Sequence, residues 1–314
     1  MRIRAARGRD APRVLEFLQR YFPAEEAVLG TRPEGFVRVF ARVYRLDTRL
    51  VLGLLRLAGR PVFRFLVGEE DGRLVATTLL TFPGPSGWIS MVAVDADYRR
   101  RGFARALLEE ARAISARAGK TYVGLEVLAD NAPAIQLYER LGYRRLGASG
   151  FQVHESARAL AGGPDPSTPA IRGFRAEDAA ALAEIARRRH PPEYERVLPT
   201  RKESIQGSRF VERALHGSSA AWTIDRGTGV EGWVAASVSP ALAAAQLSAP
   251  ILAESVEPEL ATRLVRTAGR WIAARQDGRV VALVAEANPA GRAALEGGGF
   301  HEAIRAYALY RPVA

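Results

Sequence analysis

Cysteine is absent from this 314-residue chain, and lysine occurs only at Lys120 and Lys202. The first absence excludes disulfides, thiolate metal sites and a covalent thiol intermediate. Histidine is scarce too: His154, His190, His216 and His301 are scattered without ligand spacing, so no metal is expected. No tract is apolar and long enough to cross a bilayer, and Arg2, Arg4 and Arg7 interrupt any apolar run at the start. Neither a membrane span nor a secretory signal is therefore expected, and cytoplasm is the default compartment. With lysine nearly missing, the formal charge of +11 rests on arginines spread along the chain. No basic block with interleaved aromatics stands out, which argues against a nucleic-acid partner.

What is present is concentrated in VAVDADYRRRGFARALL, from Val92 to Leu108. An apolar run ends at Val94, an Asp-rich corner follows, and Arg99, Arg100, Arg101 and Gly102 lead into an amphipathic helix with Phe103, Leu107, Ala111 and Ile114 on one face. Arginines at a helix N-terminus break a local rule, because the helix dipole already places partial positive charge there. An anion resolves the conflict. First-turn N–H groups, a glycine permitting close approach and nearby guanidinium groups make a phosphate cradle. The bland alternative is a solvated cluster in an arginine-rich chain.

Arg99-Arg100-Arg101-Gly102-Phe103-Ala104 resembles the R/Q-x-x-G-x-G/A signature of the GCN5-related N-acetyltransferases. About thirty residues on, LEVLADNAPAIQLYERLGY, from Leu125 to Tyr143, is similar to the family's fifth strand, its Asn, the next helix with its Tyr, and the closing Gly-aromatic pair. The resemblance implies an α/β (α+β) fold with a mixed, mostly antiparallel twisted sheet flanked by helices. It also implies acetyl-CoA as co-substrate. Backbone amides from Arg99 to Ala104 would hold the diphosphate, Asn131 would touch the pantetheine arm or diphosphate, and N–H groups of Val92, Ala93 and Val94 would pair with the pantetheine and polarise the acetyl carbonyl.

Taken in order, residues 2–7 read as a strand and Asp10 as the cap of a helix carrying Val14, Leu15, Phe17 and Leu18. From Pro33 to Leu57 runs a helical stretch, with Phe36, Val39, Phe40, Val43 and Tyr44 at helical spacing, then apolar Leu50 to Leu57. A hairpin follows, Phe63 to Glu70 and Leu74 to Phe82 about Asp71-Gly72. Trp88 to Val94 form the fourth strand and Thr121 to Leu128 the fifth. Asn131 is a good N-cap and Pro133 suits a first helical turn, so capping alone accounts for both. After Gly142-Tyr143, two short strands are expected through about His154.

Residues 156–169, rich in glycine and proline, read as a linker with at most one helical turn. The chain then repeats itself. Ile3-Arg4 and Arg7-x-x-Asp10 recur as Ile171-Arg172 and Arg175-x-x-Asp178, 168 residues on; Asn131, Gly142 and Tyr143 recur as Asn288, Gly299 and Phe300, 157 residues on. Two tandem copies are expected, a catalytic domain over residues 1–155 and a degenerate one over residues 170–314. In the second copy Arg99, Arg100, Arg101 and Gly102 become Val256, Glu257, Pro258 and Glu259, and Tyr138 becomes Leu295. Packing positions persist while the cradle is lost, so that copy should bind no coenzyme.

In the family a primary amine attacks the thioester directly, and positioning supplies much of the rate, about 7–11 kcal/mol. The resemblance makes Tyr138, seven residues after Asn131 as in the family, the candidate general acid; periodicity alone reads it as packing. Many relatives carry a Glu on the fourth strand, but Trp88 to Met91 contain no carboxylate. Glu126 on the fifth strand is the nearest substitute, against the simpler reading of an exposed strand residue. At pH 7 a lysine amine is neutral in roughly one molecule in 2500 and an α-amine in about one in six. A site without a strong base therefore suits an amino-acid-like metabolite or a peptide N-terminus. The alternative function is a non-catalytic acyl-CoA binding or sensing module whose second domain contacts a partner; the assembly is a monomer or homodimer.

Overall fold

The structure, a computed structural model, describes residues 2–35, 38, 63–162, 168–200, 205 and 217–314. Most of the helical stretch from Pro33 to Leu57, including Phe36, Val39, Phe40, Val43 and Tyr44, lies outside the described residues. The first half begins with β1 (Arg2–Ala5), a short turn at Gly8–Asp10, α1 (Ala11–Tyr21) and α2 (Pro23–Leu29). Then come β2 (Phe63–Glu70), β3 (Arg73–Thr81), β4 (Ser86–Val94), α3 (Phe103–Arg117), β5 (Tyr122–Leu128), α4 (Ala132–Arg140) and β6 (Arg144–His154). Asp71 and Gly72 both adopt left-handed backbone at the hairpin tip, which suits the twist of the paired strands.

The bridging helix α5 (Ala157–Ala161) leads to β7 (Ile171–Gly173), α6 (Asp178–Arg189), α7 (Pro192–Val197), β8 (Ser218–Asp225) and β9 (Val230–Val238). The second half ends with β10 (Ala245–Leu247), β11 (Ile251–Leu252), α8 (Pro258–Ala273), β12 (Val280–Ala285), α9 (Pro289–Gly297) and β13 (His301–Pro312).

The mixed, mostly antiparallel sheet flanked by helices agrees with expectation, but the two copies share it. Its order is β1-β2-β3-β4-β5-β13-β6-β12-β10-β9-β8-β7, with β11 on β9. Instead of two short strands after Tyr143 there is one, β6, and the place beside β5 is taken by β13 from the far end of the chain. β13 runs antiparallel to both neighbours, Leu309 opposite Leu125 and Ala306 opposite Ser149. β6 in turn pairs with β12, Val153 opposite Val281. Each half therefore contributes its final strand to the other. The cores interlock likewise: Leu309 is buried among Leu80, Ile89, Phe103, Leu107 and Leu125 of the first half. Ala157 and Leu160 of the bridging helix are buried in the core of the second, beside Leu264 and Ala268.

The repeated Arg-x-x-Asp motif turns out to be a clasp between strand and helix. Asp10 does not cap α1 with its side chain. Its carboxylate instead takes both Arg4 guanidinium nitrogens, at 2.7 and 3.0 Å, and the Arg7 N–H at 2.6 Å. A bidentate guanidinium is the stronger partner, so it wins the carboxylate. The second half repeats this, Arg172 to Asp178 at 2.8 Å twice and Arg175 N–H to Asp178 at 2.7 Å. The Arg172 hydrogen bonds, opposed by burial, hold the Asp178 carboxyl below the usual carboxylate range.

Replacing Asp178 by Asn should therefore cost on the order of 2–3 kcal/mol at neutral pH in denaturant titrations. A carboxyl lowered in the folded state stabilises above its unfolded pKa, and this contribution is lost as pH falls through the folded value. The variant should accordingly lose less stability than the parent on acidification below about pH 4. Equal acid sensitivity in the two proteins would remove the clasp as a stabilising element.

Candidate active site

The site starts where β4 leaves its neighbour. β4 follows β3 through Val94, but its parallel pairing with β5 stops at Ile89 opposite Leu125. The register with β3 shifts between Thr77 and Leu79, where β4 spends one extra residue, and Met91 sits there in left-handed backbone at φ 57°. This bulge bends the strand. The Thr78 hydroxyl fastens it by donating to the Ser90 carbonyl at 2.9 Å. Beyond Ile89 the edge of β4 facing β5 is open, and it carries Val92, Ala93 and Val94. Val92 and Val94 pack toward α3, and Ala93 is buried on the α1 side.

A helical turn at Ala96–Tyr98 carries the chain from this edge to the N-terminus of α3. Gly102 adopts φ 87°, and an added Cβ there would meet nothing within 4 Å. The glycine serves its left-handed conformation, and the space before it is open. α3 has no side-chain cap, and its first backbone bond runs from the Ala106 N–H to the Gly102 carbonyl. The N–H groups of Phe103, Ala104 and Arg105 thus point outward as unspent donors.

Arg99, Arg100 and Arg101 are exposed around this opening, while Phe103 is buried beneath it. Arg99 lies over the Tyr21 ring and donates to the Val94 carbonyl at 3.3 Å; Arg101 lies over Tyr98, 3.6 Å from Glu70. Tyr98 packs edge-on against Phe103. A helix N-terminus with free donors, no acid in its first turn and three peripheral guanidinium groups fits a diphosphate.

Tyr138 comes from α4, whose first turn is capped by Asn131 accepting the Ala134 N–H at 3.3 Å. The tyrosine is 5% exposed, 5.9 Å from the Tyr143 ring, and burial pushes its phenol up to about 12. It shares a core with Leu125 and Val127, on the α3 face of β5. Glu126 alternates to the opposite face. The two candidate catalytic groups are therefore brought to the same strand but to its two sides.

Glu126 is not the exposed strand residue that the simpler reading proposed. Burial raises its carboxyl above the usual range, partly offset by a hydrogen bond from the Ser149 hydroxyl at 3.3 Å. On its face of β5, Gly124 makes room for the Trp88 ring, which a Cβ would strike at 2.2 Å. Ser149, on β6 and brought near by β13, carried no signal in the sequence. Neither did the reach of the second half into this region: the Ser86 hydroxyl donates to the Val197 carbonyl of α7.

The corresponding place in the second half carries different groups. Ala93 is replaced by Pro250, which has no N–H to offer. Asn288, the counterpart of Asn131, spans the gap by donating to the Pro250 carbonyl at 2.9 Å. At the start of α8, Glu257 is clasped by both terminal nitrogens of Arg226, and its own backbone hydrogen bond and that arginine lower its carboxyl. Leu295 occupies the position of Tyr138, fully buried, and Leu283 that of Glu126.

Among the described residues no three acidic or histidine side chains converge as a metal ion requires, and no helix is long and apolar enough to cross a membrane. Residues 16–143 match the sequence profile of the acetyltransferase (GNAT) family. A mycothiol acetyltransferase of Clavibacter michiganensis subsp. michiganensis is 37% identical over 84 residues, 27% of this chain and 28% of the relative. The [ribosomal protein bS18]-alanine N-acetyltransferase of Escherichia coli is 38% identical over 74 residues, 24% of this chain and 50% of the relative. The matches thus span half or less of these relatives. A tandem GNAT protein from the clavulanic acid biosynthesis pathway superposes on 100% of this chain and 98% of its own, with TM-score 0.65 and 17% identity. A GCN5-related N-acetyltransferase from Sphaerobacter thermophilus does so over 99% and 95%, with TM-score 0.61 and 15% identity. The signature at Arg99–Ala104 and the parted strands behind it fall inside the matched segment: residues 16–143 are a domain of the acetyltransferase (GNAT) family.

Proposed function

We propose that this chain transfers the acetyl group of acetyl-CoA to a primary amine of a small metabolite or a peptide N-terminus, by direct attack, in its first half alone. The observation that carries this reading is the glycine-led N-terminus of α3, with no acid in its first turn, opening beside the unpaired edge of β4, while its counterpart at α8 begins Glu257-Pro258-Glu259. Acetyl-CoA supplies the thioester and a thiol leaving group. The N–H groups of Phe103, Ala104 and Arg105, with Arg99, Arg100 and Arg101, would hold the diphosphate. Backbone N–H groups from Val92 to Val94 would orient the pantetheine arm and meet charge developing on the carbonyl oxygen.

Glu126, with its carboxyl raised, is a better match to an ammonium than an ordinary exposed acid, and serves as proton acceptor for the incoming amine. Tyr138 stays protonated throughout the physiological range and serves as proton donor to the thiolate. Their placement on opposite sides of β5 suits one proton arriving and another leaving on different faces of the reacting centre. The mycothiol and bS18-alanine acetyltransferases are named for a small molecule and for a protein alanine respectively, which supports an amine acceptor without choosing between these classes.

Calorimetric titration should give one acetyl-CoA per chain, and Arg101→Gln should weaken it roughly tenfold or more, as loss of a charge-assisted contact requires. Two coenzymes per chain would contradict the assignment of the second half. Tyr138→Phe should lower turnover at least about tenfold with little change in coenzyme affinity, read as thiol release over a panel of amines. A parent protein that binds coenzyme and releases no thiol with any amine would be a sensor instead. For Glu126, the rate should fall as pH drops through a pKa above the ordinary carboxylate range, and Glu126→Gln should abolish that acid limb. A limb unaltered in the variant assigns the proton to another group.

A further inference from the structure

The half that has lost its own coenzyme site still reaches the chemistry of the other. α7, a six-residue helix of the second half, is tied at two points to the shared sheet, once on a strand of each half. The buried Ser86 hydroxyl donates to the Val197 carbonyl, and the Tyr310 hydroxyl donates to the Glu193 carboxylate. Ser86 stands on β4 two residues before Trp88, and Tyr310 on β13 lies opposite Gly124. Since the Trp88 ring covers Gly124, and side chains alternate along each strand, Ser86, Trp88, Gly124 and Glu126 share one face. α7 lies on that face.

Between the two ties stands Tyr194. Its ring lies tilted against His190, centroids 4.9 Å apart, His190 Nδ1 is 2.7 Å from Glu195, and the other Glu195 oxygen accepts the Thr200 N–H at 3.1 Å. The ring is thereby held by an imidazole that is itself fixed to the helix through Glu195. Burial, with the Glu126 and Glu195 carboxylates adding to it, pushes the Tyr194 phenol up to about 12, and among the described residues no hydrogen bond joins Tyr194 to Glu126. The groups that face Tyr194 are Glu126 from β5 and His190 and Glu195 from its own segment. A carboxylate on β5 and a phenol on α7 thus lie on one face of the sheet beside the parted strands, with no hydrogen bond between them among the described residues.

We propose that Tyr194, contributed by the second half, is a positioning residue for the acceptor, its hydroxyl oxygen holding the incoming amine against Glu126. The inference rests on the reading of Glu126 as proton acceptor. An ammonium has three donors; Glu126 takes one, and a neutral phenol oxygen can take a second. Holding the nitrogen at two corners limits its rotation, and it gives the second copy a task that survives the loss of its own cradle.

Tyr194→Phe in the full chain tests this, using thiol release from acetyl-CoA with an alanine-initiated peptide, glycinamide and a lysine side-chain amine as acceptors. For the acceptor that the parent turns over best, KM should rise about five- to tenfold, with kcat within about twofold and coenzyme affinity unchanged. An unaltered acceptor KM overturns the inference. So does a matching loss of coenzyme affinity, which makes Tyr194 a packing residue. Glu126→Gln separates the two levels: full activity in that variant removes both readings, whereas a lost acid limb there beside an unaltered KM in Tyr194→Phe removes only the role of Tyr194.

Discussion

A strand edge inside a protein must find hydrogen-bond partners, and for β5 that partner is β13, the last strand of the chain. Everything on the reactive face of the first half depends on this pairing. β13 places β6, and with it Ser149, within reach of Glu126, and Tyr310 on the same strand fastens α7. The pairing also makes each half structurally necessary to the other. Each half lacks a strand that only the other supplies, so loss of either would expose an unpaired edge in the remaining one.

The division of labour turns on how each helix N-terminus finds its anion. Four outward N–H groups and the helix dipole create the same demand at α3 and α8. In the second half Glu259 puts a negative charge in the first turn itself, Glu257 before it is paired with Arg226, and Asn288 donates to the Pro250 carbonyl. In the first half the first turn contains no acid, Gly102 keeps the approach clear, and the demand is left for a ligand. Similar backbones thus have opposite electrostatic outcomes, decided by a few side chains.

Burial, in turn, sets the character of the two candidate proton-transfer groups. The same desolvation raises Tyr138 and Glu126, but with different consequences: the phenol is kept a donor, whereas the carboxyl is made a more willing acceptor. Ser149 tempers the second effect by bonding the charged form. The path from sequence to chemistry therefore runs through packing, since neither residue has its properties until β13, α4 and α7 are in place.

By itself, the sequence determined the local elements and the asymmetry. The arginines and glycine before Phe103, the Asn131 cap, the Asp71-Gly72 turn and the 157- and 168-residue repeats are short-range patterns, and short-range physics suffices to read them. The local pattern at Asp10 suits a helix cap equally well, because the choice between a nearby N–H and the Arg4 guanidinium depends on where β1 lies. Only the tertiary structure decided the exchange of final strands, the bulge at Met91, the burial of Glu126 and the arrival of Tyr194 beside it. Those features join residues far apart in the chain, and hydrophobic alternation specifies that a strand has a buried face without naming the strand it pairs with.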